Sequence, residues 1–194
     1  MKLGDIITVE IVPLDGEPVL VVPKSYEEWV KAISQIDNIR CYSSVENRME
    51  IFKDLIGRVK GTLGVEEHLP LKIYEQLAAA FPQIKIASRM LSEVRLIKSE
   101  EEIESIRKAV GIVEKGIEAG RKILQESITE KKISIEIEGT MRKLGAETIP
   151  YCLVHTGANT AAGFPPSKNR VKKGDFVLMD IAAATRGIMQ ILLG

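Results

Sequence analysis

The sequence predicts an α/β protein in two domains, residues 1–92 and 93–194. Two observations carry this. Over the first ninety residues, short β-branched runs alternate with segments of helical period, as expected for strands joined by crossover helices. From Lys98 onward the pattern changes to two longer amphipathic helices, then strands around a Gly/Ala/Pro-rich loop. With 194 residues, 45 % apolar and 28 % charged, the chain is ordinary globular material with enough length to bury a core.

The elements follow in order. Residues 6–12 and 19–22 read as strands around a turn with Asp15-Gly16 at its centre. Ser25 followed by Glu28 has the form of a capping box opening a helix through Trp29, Ile33 and Ile36. Residues 38–42 read as a strand. Residues 48–60 carry Ile51, Phe52, Leu55, Ile56 and Val59 at helical spacing. A strand at 62–65, a helix at 71–80 and a strand at 84–87 complete this half, and 89–98 reads as the boundary. A second capping box, Ser99 with Glu102, opens a helix with Ile103, Ile106, Val110, Val113, Ile117 and Leu124 as its apolar face. Gly116 and Gly120 cost helix stability there, about 1 kcal/mol each relative to Ala, which points to close packing on a sheet. A further helix spans 130–144, with Ile133, Ile137 and Met141 inward and Gly145 as its stop. Strands are expected at 149–154 and 176–181, with a loop over 156–167.

Composition excludes several classes. Lys+Arg and Asp+Glu balance at 27 each, leaving no cationic excess for a nucleic-acid backbone. No apolar run approaches the roughly 20 residues of a membrane span, and the first ten residues lack the apolar core of a signal peptide. Cys41 and Cys152 read as buried, reduced core thiols of a cytoplasmic protein. With only His68 and His155, a His-rich metal cluster is ruled out.

Few residues could carry chemistry. Asp180 ends an apolar strand, and a carboxylate buried there needs a metal, a cation or hydrogen bonds, unless it meets water. His155 follows a strand and is read as structural before it is read as a ligand or acid/base. The glycines of 157–163 lack both the Lys of a phosphate loop and the spacing of a dinucleotide fingerprint. The runs Glu100-Glu101-Glu102 and Glu130-Lys131-Lys132 read as helix starts and solvated faces.

Five segments, in order along the chain, resemble the creatinase/prolidase family. These are Arg95-Leu96-Ile97-Lys98-Ser99-Glu100-Glu101-Glu102-Ile103, Ile106-Arg107-Lys108-Ala109, Met141-Arg142-Lys143-Leu144-Gly145-Ala146, Gly157-Ala158-Asn159 and Val171-Lys172-Lys173-Gly174-Asp175-Phe176-Val177-Leu178-Met179-Asp180. Gly64-Val65-Glu66 with Leu69-Pro70 is similar to that family's N-terminal domain. The resemblance covers nearly the whole chain. It implies a creatinase-like N-terminal α/β domain followed by the first part of a pita-bread α+β domain. It also implies Xaa-Pro dipeptidase or aminopeptidase chemistry, in which two divalent ions (Mn, Co or Zn) activate water against the amide before proline.

Carried over by position, the resemblance makes Asp180 the first metal-binding Asp of the family. The second falls on Ile191, which cannot ligate, and the substrate-side His of the family falls on Phe164, so His155 is not that residue. Ala182 stands where the family has Gly. The later His and two Glu ligands would lie beyond Gly194, and both ends look cut. A shifted reading frame across Ile188-Met189-Gln190-Ile191-Leu192-Leu193-Gly194 can encode Tyr-Ala-Asp-Ile-Thr-Arg, the family's pattern around its second Asp. The expectation is therefore a truncated member that binds no metal pair, has no catalytic residue set of its own and is inactive alone. Two alternatives stay open. One is a non-catalytic homodimerising or binding module. The other is a peptidase acting on peptides only when another chain supplies ligands. No nucleic-acid or membrane partner is expected, and the location expected is cytoplasmic.

Overall fold

In a computed structural model the chain forms two compact units, Met1–Arg95 and Leu96–Gly194. The structure describes residues 7–57, 61–161, 163, 165–185 and 188–193. Val59 and Phe164 lie outside the described residues.

In the first unit, β1 (Val9–Ile11) pairs antiparallel with β2 (Val19–Pro23), and β2 pairs parallel with β3 (Ile39–Tyr42). The crossover between β2 and β3 carries α1 (Glu27–Ile33), as parallel pairing requires. A second parallel pair, β4 (Leu63–Val65) with β5 (Ile84–Ile86), is joined through α3 (Leu71–Ala80). Between β3 and β4 lies α2 (Val45–Ile56), whose N-cap Ser44 accepts a hydrogen bond from Asn47 N at 3.1 Å. Val21, Tyr42, Phe52, Ile56, Ile73 and Leu77 form the core. Tyr42 is fully buried and its hydroxyl both accepts from Ile7 N and donates to Ile7 O, at 2.9 and 2.7 Å. Arg48 is also fully buried, with its guanidinium 5.3 Å from the Tyr42 ring centroid and donating to Gln76 Oε1.

Several expectations change here. The capping box at Ser25 does not form: Lys24–Tyr26 is a 3-10 turn, and Tyr26 caps α1 without a side-chain bond. Glu27 instead takes Lys24 and Lys31 as ion-pair partners. The helix stops at Ile33, and Ile36 sits in a turn where its N–H donates to Ser34 Oγ. Trp29 and Ile33 are exposed and do not join the core. The boundary segment holds an unexpected helix, α4 (Ser88–Val94). Cys41 is only partly buried, whereas Cys152 is buried, and both thiols are free.

The second unit packs α5 (Glu100–Lys122) and α6 (Glu130–Lys143) on an antiparallel sheet of β6 (Cys152–Thr156), β7 (Val177–Thr185) and β8 (Ile188–Leu193). The Ser99–Glu102 capping box is complete. The buried stripe of α5, however, is Ser105, Ala109, Ile112, Val113, Gly116 and Gly120, rotated from the run of Ile and Val that the period suggests. Close approach selects this face. A Cβ added at Gly116 would lie 2.8 Å from Met141 Cγ, and one at Gly120 would lie 2.7 Å from Ile137 Cδ1. The glycines thus fit against α6, not against the sheet. Ile133, Ile137 and Met141 of α6 are fully buried, as the period predicts. Gly145, at φ +96°, ends α6: its N–H bonds Arg142 O and the Ala146 N–H bonds Met141 O. Among the described residues no helix is long and apolar enough to cross a membrane.

Candidate metal site on the outer face of the second sheet

Strand alternation decides which side chains share a face. Cys152 and Val154 of β6, with Met179, Ile181 and Ala183 of β7, belong to the core shared with α5 and α6. The intervening residues therefore face away from the helices. On β6 these are Leu153 and His155, preceded by Tyr151; on β7 they are Leu178, Asp180 and Ala182. Asp180 stands opposite Leu153, and His155 opposite Leu178, so Asp180 and His155 are diagonal neighbours. His155 is almost fully buried. Tyr151 continues the ladder, its carbonyl accepting from Ala182 N at 3.1 Å. Burial raises the Tyr151 phenol above its ordinary pKa, and the neighbouring Asp180 carboxylate adds to the rise.

Asp180 itself is the anomaly of this face. Its Oδ1 is buried and accepts no hydrogen bond among the described residues. An orphaned carboxylate oxygen is costly and calls for a cation or donor. On the other side of β7, Asp180 pairs with Leu193 of β8 and Ala182 pairs with Ile191. The register thus brings position 191 diagonal to Asp180, and that position carries Ile.

The connection from β6 to β7 is fixed by a residue that sequence reasoning placed in solvent. Glu130, in the first turn of α6, is fully buried. Its carboxylate accepts from Thr156 N (2.9 Å), Asn159 Nδ2 (3.1 Å), Ser167 N (3.0 Å) and Ser167 Oγ (2.7 Å), with Asn169 Nδ2 at 3.4 Å. Burial alone would raise its pKa. The bonds from Ser167, Thr156 and Asn159 outweigh it and hold the carboxyl down at about 2. The signal available in sequence was Thr129 as N-cap, which accepts from Lys132 N and leaves Glu130 at the first helical position. Asp175 makes a second tie, accepting from Thr156 Oγ1 and Lys172 N at 3.2 and 2.9 Å. Gly157, at φ +57°, leaves room for it, since a Cβ there would lie 3.1 Å from Asp175 Oδ1.

The fit to a divalent pair is incomplete. The described residues contribute one candidate carboxylate, and among them no three His, Cys, Asp or Glu side chains are grouped to hold a metal ion. A divalent pair needs several oxygen or nitrogen ligands.

Comparison with known proteins gives the relationship. Residues 7–97 match the creatinase/prolidase N-terminal domain, and residues 104–190 match metallopeptidase family M24. An uncharacterized peptidase of Staphylococcus aureus is 32 % identical over 175 residues, covering 88 % of this chain and 49 % of its own length. The prolidase of Pyrococcus furiosus superposes with a TM-score of 0.81 at 26 % identity, over 96 % of this chain and 54 % of that one. An X-Pro aminopeptidase of Thermotoga maritima shares the fold at a TM-score of 0.80 and 23 % identity, over 96 % and 54 %. The chain spans about half the length of the relatives it matches. Its two units thus carry the family's N-terminal α/β domain and part of its pita-bread domain, and the chain belongs to the creatinase/prolidase family of metallopeptidases.

Proposed function

We propose that this chain is the scaffold of a metal-dependent Xaa-Pro dipeptidase or aminopeptidase, that Asp180 is a metal-ligating carboxylate, and that the chain alone does not hydrolyse Xaa-Pro bonds. The observation that carries the reading is the buried, unbonded Oδ1 of Asp180 on the face of the sheet turned away from α5 and α6. A polar atom is retained in such a place at a cost unless something outside the described residues satisfies it, and a divalent cation is the partner its charge suits. The identity of residue 191 supports the lack of independent activity, because the position diagonal to Asp180 in the register is Ile, a residue with no ligating atom in its side chain. The test is direct. The purified chain, supplied with Mn²⁺, Co²⁺ or Zn²⁺ and Xaa-Pro dipeptides, is expected to show no turnover. Metal-dependent turnover abolished by Asp180→Ala would overturn this.

A second reading, a homodimerising module, is favoured by one feature of the first unit. Tyr26, which caps α1, and Trp29 and Ile33 within it follow at three- and four-residue spacing, exposed at 39, 63 and 61 %, with the Tyr26 and Trp29 rings edge to face at 6.3 Å. Aromatic side chains of this kind dominate association energetics when covered, and a second copy of this chain is the proposed cover. Sedimentation of the wild type as a dimer and of Trp29→Ser as a monomer is the expected result; a monomeric wild type would sink it. A cytoplasmic location belongs to the same proposal and is supported by the two free thiols.

A further inference from the structure

Three segments meet at the end of the second unit that holds the turn between α5 and α6. The segment 167–173 lies against the turn between α5 and α6. Ser127 N bonds Val171 O, Val171 N bonds Ile128 O, Glu130 N bonds Asn169 O and Lys131 N bonds Ser167 O. This pairing gathers Arg121 and Lys122 from the end of α5, Lys131 and Lys132 from the start of α6, and Lys168, Arg170, Lys172 and Lys173 from the segment itself. All eight are exposed. Lys122 pairs with Glu118 at 3.1 Å, and none of the other seven makes an ion pair among the described residues. Residues 121–132 and 167–175 hold only three carboxylates, one of them the buried Glu130; with Glu118 beside Lys122 and Glu136 in the neighbouring depression counted as well, this end still carries a net positive charge of three in a chain whose total is zero. The rest of the chain is correspondingly acidic. Such an imbalance builds a local field that a neutral overall charge conceals.

Within the cations lies an open depression of about 640 Å³, with Lys122 and Lys132 on its walls and Ile123, Leu124 and Ile128 beneath. Its shape is held by Ser127, which adopts φ +69°, unusual for a residue other than Gly. Two bonds hold Ser127 there: its N–H to Val171 O, and the Arg170 guanidinium to its carbonyl at 2.6 Å.

We infer that this end of the second unit is a docking surface for an acidic polypeptide segment bearing apolar side chains. Carboxylates of the partner would meet the lysines, and its apolar residues would cover the half-buried Ile123 and Leu124. Glu126 and Glu136 also line the depression. A uniform phosphate chain would be repelled by them, whereas a peptide can place an uncharged or cationic residue opposite. That is why a peptide is favoured over a nucleic acid.

The test uses the full chain and three labelled probes in fluorescence polarisation: a short Glu-Glu-Leu-Leu repeat peptide, an all-Glu peptide of equal length, and an oligo-dT of equal charge. The mixed peptide is expected to bind tightest and to weaken at high ionic strength. Lys131→Glu with Lys168→Glu, both at exposed positions, should weaken it roughly tenfold or more while leaving the thermal midpoint in place. Leu124→Ser should weaken the mixed peptide and leave the all-Glu peptide unchanged. Oligo-dT binding as tightly as the mixed peptide would replace this surface with a polyphosphate one and overturn the inference. So would the absence of saturable peptide binding at low salt, or unchanged affinity in the double charge-reversal variant.

Discussion

Two carboxylates in the second unit show how differently burial treats the same group. Glu130 is buried with donors on every side, and Asp180 has a buried oxygen with none among the described residues. For Glu130 the folded pKa, about 2, lies below the ordinary 4.5. Its stabilisation is therefore present above about pH 4.5 and is lost as the pH falls toward 2, amounting to about 3 kcal/mol when fully expressed. Glu130→Gln should lose an amount of that order at neutral pH, because its amide would turn a donor toward the donors of Thr156 and Ser167. Urea denaturation across pH checks this. The gap between wild type and variant should close below pH 4.5, and a gap independent of pH would refute the ionised form. Asp180→Ala should behave oppositely, leaving stability in chelator within about 1 kcal/mol of wild type or above it, since removing the unsatisfied Oδ1 offsets the loss of the carboxylate's hydrogen bond with Tyr151. A large loss of thermal stability in chelator would show that the carboxylate is satisfied within the fold.

At the scale of elements, α5 teaches why a hydrophobic period is an incomplete guide. Ile103, Ile106, Val110 and Ile117 read as the inward face, yet the helix turns Ser105, Ala109, Gly116 and Gly120 fully inward and leaves those four partly buried. Counting apolar volume cannot anticipate that two helices will approach closely enough to need small residues. A contrast within α5 tests this. Gly111→Ala meets open space and should stabilise the second unit by about 1 kcal/mol through helix propensity alone. Gly120→Ala gains the same propensity but drives a Cβ to 2.7 Å from Ile137, so a net loss of about 1–3 kcal/mol is expected. Guanidinium unfolding of both variants gives the comparison, and equal stabilisation by the two would contradict the packing account. In α1 the error is of another kind. Ser25 and Glu28 satisfy a capping pattern, but Glu27 finds Lys24 and Lys31, and the chain starts its helix after a 3-10 turn. Local sequence offers both arrangements.

At the scale of the molecule, the alternation of strands and helices, the break in pattern near Lys98 and the five spaced segments made the fold and family readable from sequence. They did so because periodicity and turn chemistry are local properties. The strand that carries Asp180 was readable for the same reason, but its place in that strand was not: β7 runs on to Thr185, so the carboxylate sits within the sheet, paired on both sides, and does not close a strand. Glu130 and Arg48 were not. Both are charged residues in ordinary helical segments, and their burial depends on partners 26 to 39 residues away for Glu130 and 28 residues away for Arg48. The β8 pairing, which brings Ile191 diagonal to Asp180, also comes only from the three-dimensional register. On the proposed reading, the described residues supply one metal-binding carboxylate, Asp180, and not a complete site. Metal analysis of the purified chain after equilibration with Mn²⁺, Co²⁺ or Zn²⁺ and removal of free ion tests it most directly. Fewer than two bound ions per chain are expected, with any retained ion lost in Asp180→Ala; two tightly held ions per chain would overturn the proposal.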